Sequence, residues 1–156
     1  MNHIDLADKE MKLSGEDILS TGGVNDLKIK EFEKLIGLKF PNSYKYFLKN
    51  YGALSFCGDT YYGITQKGKD ENQVPCVLYT TIEARARGDI SDNMILVKSS
   101  GYGPLYSIDT EMVGSSGESV IVETELSFKR TGEKNIIFDS YGEFIYSQIK
   151  EAIDDV

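Results

Sequence analysis

The apolar residues of the N-terminal third of the chain recur at helical spacing. Ile29, Phe32 and Ile36 lie three and four residues apart, with lysines and glutamates between them. This spacing predicts an amphipathic helix that begins at Asn25 or Asp26 and ends at the next glycine.

A second helix is predicted within the segment FPNSYKYFLKNYG, residues 40–52, which contains five aromatic residues. We expect Asn42 or Ser43 to cap this helix. A rotation of 100° per residue places four large side chains on one stripe: Tyr44, Phe47, Leu48 and Tyr51. The aromatic stripe is therefore expected to form core, and Tyr46, on the opposite side, remains a candidate for binding a partner.

After residue 52 the pattern changes to short β-rich segments separated by turns. These segments are ALSF, TYYGIT, VPCVLYT, MILVKS, LYSID, SVIVETEL and NIIF. A capping box at Thr80 predicts a short helix that ends at Gly88, and one at Ser140 predicts the last helix. Short turns between strands favour antiparallel pairing. The fold class is therefore α+β, a single domain with a mainly antiparallel sheet and helices packed against it.

Two parts of the chain are distinguished by their patterns. Residues 1–24 are polar and predict a loosely structured lead-in, with His3 at a frayed end and a possible capping box at Ser14. Residues 25–156 contain all the regular patterns and are predicted to form the domain. No internal repeat or Pro/Ser-rich linker indicates a further division.

The charge distribution narrows the possible partners. The net charge is -8, yet residues 1–49 contain eight lysines and eight acidic residues, so the excess lies later in the chain. Residues 106–127 contain five acidic residues and no lysine or arginine. Such a surface repels nucleic acid and attracts a basic protein. The alternative is a solvated acidic face that only keeps the protein soluble.

No segment of the sequence predicts insertion in a membrane. The longest aliphatic run is MILV, which is far too short to cross a bilayer, and the polar N-terminus does not resemble a signal peptide. We expect a cytoplasmic protein with no membrane partner.

The residues that most often carry catalysis or bind metals are scarce. The only histidine is His3, and Cys57 and Cys76 lie in unlike contexts that favour two reduced, buried thiols. The glycine-rich segments match neither a dinucleotide fingerprint nor a P-loop. Carboxylate pairs on strands, such as Asp109 with Glu111, are equally typical of a solvated strand face. We expect no enzyme activity, no cofactor and no metal.

The segment IKEFEKLIGLKFPNSYKYFLKNYGALSF, followed by YYGI, resembles the signature of the SUKH superfamily. The similarity continues through a threonine–arginine helix, a glycine turn before LYSIDT, the GESVIV strand and a closing helix, and it covers residues from about 25 to 153. The motif positions that match are Glu33, Ile36, Gly37, Phe40, Pro41, Tyr44, Phe47, Leu48, Tyr51, Gly52, Gly63 and Ile64. Tyr141 stands where the superfamily usually has phenylalanine.

The resemblance implies a non-catalytic α+β fold. It also implies a bacterial immunity protein that binds and neutralises a polymorphic toxin, often a nuclease, or alternatively a regulatory binding module like the fungal relatives. The superfamily defines no contact residues, so candidates come from exposed aromatic residues near acidic ones. These are Tyr46, Asp59, Tyr61, Tyr62, Asp109, Glu111 and Glu118. Because strand residues alternate, at most one of Tyr61 and Tyr62 is expected to face solvent.

Overall fold

The computed structural model describes all 156 residues, which form six α-helices and seven β-strands. In chain order the helices are α1 His3–Ser14, α2 Asp26–Ile36, α3 Asn42–Tyr51, α4 Val77–Arg87, α5 Phe128–Thr131 and α6 Tyr141–Asp154. The strands are β1 Ile18–Ser20, β2 Leu54–Phe56, β3 Asp59–Tyr61, β4 Met94–Ser99, β5 Leu105–Val113, β6 Ser119–Thr124 and β7 Asn135–Phe138. The predicted α+β class is confirmed.

The strands divide into two antiparallel sheets, in the orders β1-β2-β3 and β4-β5-β6-β7. The sheets meet where the chain leaves β3, and the Tyr62 N–H donates to the Val97 carbonyl over 2.9 Å. In the larger sheet, sequential strands pair with each other, as the sequence pattern predicts; short turns join β4 to β5 and β5 to β6, and a longer segment that contains α5 joins β6 to β7.

The predicted core stripe of α3 is confirmed. All four residues of the stripe are buried, and the rings of Tyr44 and Phe47 contact that of Tyr141 of α6. The rings of Tyr44 and Tyr141 meet edge to face with centroids 4.8 Å apart, a favoured geometry for aromatic pairs. This aromatic cluster lies between α3 and α6 at the centre of the molecule.

The predicted lead-in is wrong for residues 3–14, which form α1. The Asn2 side chain caps the helix by accepting from the Asp5 N–H over 2.8 Å. Ile4, Ala7 and Met11 are buried at spacings of three and four, and α1 packs beside α6. This stripe is narrow and its neighbours are polar, so the periodicity is weak until α6 supplies a surface to cover it.

The start of α4 also differs from the prediction. The segment VPCVLYT was expected to be extended, but the helix already begins at Val77. Val77, Thr80, Thr81 and Ala84 are all buried at helical spacing. Burial of this stripe therefore outweighs the low helix propensity of its β-branched residues.

Candidate functional site

The seven residues expected to bind a partner do not form one surface. Tyr46 and Glu118 lie at the end of the molecule where helices α1, α3 and α6 begin. Asp59 is the first residue of β3. Asp109 and Glu111 lie on β5, beside Lys134.

Three of these residues are buried and are therefore unavailable to a partner in this conformation. Tyr61 has no exposed surface, and Tyr62 is 7 % exposed. Alternation does not apply to this pair, because the chain leaves β3 after Tyr61 and joins the larger sheet at Tyr62. Asp109 is fully buried and its carboxylate lies 2.6 Å from the Lys134 ammonium, so its charge is neutralised within the fold. Tyr61, Tyr62 and Asp109 are thus structural residues.

Glu118 caps a helix instead of facing solvent. Pro41, at the N-cap position of α3, has no capping side chain, so the first N–H groups of the helix lack a local partner. The Glu118 carboxylate accepts from the Ser43 hydroxyl over 2.6 Å and from the Ser43 N–H over 3.2 Å. The Ser43 hydroxyl in turn accepts from the Gly142 N–H of α6 over 3.2 Å. The expectation that Asn42 or Ser43 caps α3 is therefore wrong, since a carboxylate 75 residues away does so.

A second carboxylate, Asp139, is engaged at the same end. It accepts from the Ser115 and Ser116 N–H groups over 2.8 and 2.9 Å, which holds the turn between β5 and β6. These backbone hydrogen bonds keep the pKa of Asp139 below its ordinary value. Gly114 is required beside it, because a Cβ atom there would come within 2.2 Å of the Asp139 carboxylate.

Tyr46 belongs to this end as well. Its hydroxyl donates to the Asp5 carboxylate of α1 over 2.6 Å, and this bond is the main reason why the pKa of Tyr46 is raised. We call this region, defined by Asp5, Ser43, Tyr46, Glu118 and Asp139, the capped end. A polar cleft of about 370 Å³ lies within it, lined in part by His3, Ser140 and Glu143.

The opposite end of the larger sheet carries a different arrangement, centred on Lys98. This lysine is 5 % exposed, and its ammonium lies 2.6 Å from the Gln148 side-chain oxygen and 3.5 Å from the Asp59 carboxylate. It also lies over the Tyr61 ring, 5.1 Å from the centroid. Burial lowers the pKa of Lys98, and the neighbouring Asp59 opposes that shift.

Acidic residues surround this lysine. The pKa of the half-buried Tyr106 is raised by burial and then by the charges of Glu123, Glu151 and Asp59. On the other side of Asp59, the pKa of Cys57 is raised by burial and then by the charges of Glu16 and Asp59. In the register of the larger sheet Glu123 lies opposite Tyr106, and Tyr106 lies opposite Lys98. Glu16 and Asp17 line a groove with Cys57, two residues before Asp59, and Glu151 follows Gln148 by three residues on α6. We call this region the acidic band. It consists of Glu16, Asp17, Asp59, Glu123 and Glu151.

Two features beside the acidic band were missed by the sequence pattern. Tyr102, in the turn between β4 and β5, is 99 % exposed. Cys57 adopts a left-handed conformation, φ 51°, in the two-residue turn between β2 and β3. The expectation that both thiols are buried is wrong for Cys57, which is exposed because it lies in this turn. The segment GYGP had indicated only a turn. An aromatic residue flanked by two glycines is the available signal, because no neighbouring side chain can cover its ring.

Neither end offers a group of His, Cys, Asp and Glu residues arranged to hold a metal ion. No helix of the structure is both long and apolar enough to cross a membrane.

The two antiparallel sheets and the helices packed against them define an α+β protein. A comparison with known families identifies the family. Residues 26–145, which are 120 of the 156 residues, match the model of the SUKH_6 family, described as SMI1-KNR4 cell-wall. The chain belongs to this family, and the resemblance to the SUKH superfamily noted from the sequence is confirmed.

Proposed function

We propose that this protein is an immunity protein that binds a cognate polymorphic toxin and neutralises it by covering the toxin's working surface. Members of the SUKH family are commonly immunity proteins. The observation that favours this function is the acidic band, in which Glu16, Asp17, Glu123 and Glu151 form no ion pair, on a member of this family.

The chemistry of the surface narrows the class of toxin. Toxins that act on nucleic acids carry basic surfaces that bind phosphates, and an acidic protein surface competes for the same cations. A basic toxin domain, for example a nuclease, is therefore the proposed partner. In this proposal the protein acts in the cytoplasm without catalysis, cofactor, membrane or direct contact with nucleic acid.

Co-expression tests the proposal directly. The toxin domain encoded beside this gene is produced in a sensitive bacterial strain with and without this protein. We expect growth to be rescued and the two proteins to co-purify as a stable complex. A matched control co-expresses the Phe47→Ala variant, whose fold is destabilised and whose rescue should be weaker. Absence of both rescue and complex with the wild-type protein would reject the function for that toxin.

The cell-wall description of the matching family favours a second function, a regulatory binding module without toxin neutralisation. Such a module would bind a host protein whether or not a toxin gene is present. Deletion of the gene in a strain that lacks the neighbouring toxin separates the two functions. A growth or cell-wall phenotype in that strain supports the regulatory module, and its absence supports immunity.

A further inference from the structure

We propose that the acidic band and the groove beside it form the docking surface for a basic face of the toxin, with Tyr102 as an aromatic anchor. This inference rests on the proposed function and specifies where on the molecule the partner binds. Its expected partner chemistry is lysine and arginine side chains presented by a folded protein.

Four of the five carboxylates of the acidic band form no ion pair. Glu16, Asp17, Glu123 and Glu151 have no lysine, arginine or histidine nitrogen within 4.0 Å. At the capped end, by contrast, Glu118 and Asp139 accept hydrogen bonds from backbone and hydroxyl donors. The charge of the band is therefore available to an incoming cation.

The groove beside the band has a shape and composition suited to a basic side chain. A concave region of about 340 Å³ lies between the loop after α1 and the small sheet. Leu19, which is 64 % exposed, lies in this groove beside Glu16 and Asp17. Lysine and arginine carry a charged head on an apolar stem. A lysine or arginine of the partner can therefore place its apolar stem on Leu19 and its charged head against the carboxylates of Glu16 and Asp17.

The Tyr61 side chain lies beneath the band, because its ring centroid is 5.1 Å from the Lys98 ammonium, which is itself 3.5 Å from the Asp59 carboxylate. The Tyr61 hydroxyl is buried and has no hydrogen-bond partner. Buried polar groups are nearly always paired, so this hydroxyl is a local defect of hydrogen bonding beneath the band.

Tyr102 lies in an exposed position near the band. The β4–β5 hairpin that carries Lys98 and Tyr106 ends in a turn, and Tyr102 projects from that turn into solvent. Tyrosine is enriched among residues that dominate binding energy, and a charged rim increases the rate of encounter. We therefore expect the acidic band to increase the rate of association with the toxin and Tyr102 to slow the dissociation of the complex.

Surface plasmon resonance with the neighbouring toxin domain tests this surface. The Glu123→Lys/Glu151→Lys variant is compared with an Asp70→Lys/Asp92→Lys control, which makes the same change at exposed carboxylates that also lack ion pairs. We expect the first variant to slow association about tenfold at low salt and to flatten its salt dependence. The control should retain nearly the wild-type rate. Equal effects of the two variants would overturn the inference.

Tyr102→Ala tests the anchor separately. We expect dissociation to accelerate about tenfold, with little change in association rate or salt dependence. An unchanged dissociation rate would remove Tyr102 from the surface.

A probe that does not depend on the toxin keeps the inference testable if the proposed function fails. A lysine- and arginine-rich peptide is titrated into ¹⁵N-labelled protein while amide chemical shifts are followed. We expect the largest changes at residues 16–19, 57–60, 98–106, 123 and 151. Chemical shift changes that are confined to other regions, or a complete lack of changes, would reject the proposed docking surface. If these shifts occur but the toxin does not bind, the proposed function is rejected and the docking surface is retained.

Discussion

The two ends of the molecule both carry acidic residues, but they use them differently. At the capped end the Glu118 carboxylate holds the start of α3, and that of Asp139 holds the β5–β6 turn. At the acidic band, Glu123 and Glu151 contact no cation, and the only buried charge is Lys98 beneath them. Net charge alone therefore does not identify a binding surface, because a carboxylate that caps a helix is already committed to the fold.

The largest loss of stability is expected from a substitution in the aromatic core. Phe47 is fully buried, and its ring contacts Tyr44, Tyr51 and Tyr141. Phe47→Ala should lower the free energy of unfolding by about 3–5 kcal/mol, because it removes aromatic contacts and leaves a cavity. Urea denaturation followed by circular dichroism measures this loss. A loss below about 1 kcal/mol would contradict the packing of this cluster.

The next prediction separates the two ends. Glu118→Ala should cost about 1 kcal/mol of unfolding free energy, because the first turn of α3 loses its cap. Glu123→Ala, at the acidic band, should change it by less than about 0.5 kcal/mol. The same urea experiment compares them. Equal losses at both positions would remove the distinction between structural and available carboxylates.

The pH dependence of stability sharpens the same distinction. The folded-state pKa of Asp139 lies below its ordinary value of 3.8, so its ionised form stabilises the fold above that pH. This contribution is lost as the pH falls through the folded-state pKa. The difference in Tm between the wild type and Asp139→Ala should therefore be constant between about pH 7 and 5 and should narrow below about pH 4.

An exposed carboxylate provides the control for this measurement. Asp92 is exposed and forms no ion pair within 4.0 Å, so Asp92→Ala should show no comparable narrowing. A Tm difference between the wild type and Asp139→Ala that stays the same at every pH would contradict the proposed role of the Ser115 and Ser116 hydrogen bonds.

The smallest expected effect is at Tyr102. Its ring is almost fully exposed, so Tyr102→Ala should leave the unfolding free energy within about 0.5 kcal/mol of the wild type. A larger loss would mean that the ring packs on the fold, and its role as an anchor would then need another explanation.

The sequence pattern predicted the elements whose apolar stripes are dense. It located α2, α3, α6 and the strands of the larger sheet, because each carries several large apolar residues at regular spacing. It missed α1, whose buried stripe of Ile4, Ala7 and Met11 is sparse, and it started α4 too late. Both errors have one cause, since these helices are stabilised by surfaces that come from distant parts of the chain.

The candidate site was less predictable than the fold. Asp59 was selected from the sequence and lies in the acidic band, but Tyr61 beside it is buried. Lys98 follows a run of apolar residues and gives no local sign that Gln148, fifty residues later, accepts its hydrogen bond. Whether a charged side chain is committed or available depends on such distant partners, and spacing along the chain does not record them.

The conformation of Cys57 has a practical consequence. Its thiol is exposed at the edge of the groove, whereas the thiol of Cys76 is buried, so the protein carries one natural position for site-selective labelling. Burial raises the pKa of the Cys57 thiol, which makes mildly alkaline buffer the suitable labelling condition. A fluorophore attached there would report occupancy of the groove in the unmutated protein, and protection of the thiol from maleimide would serve as a footprint of the bound partner.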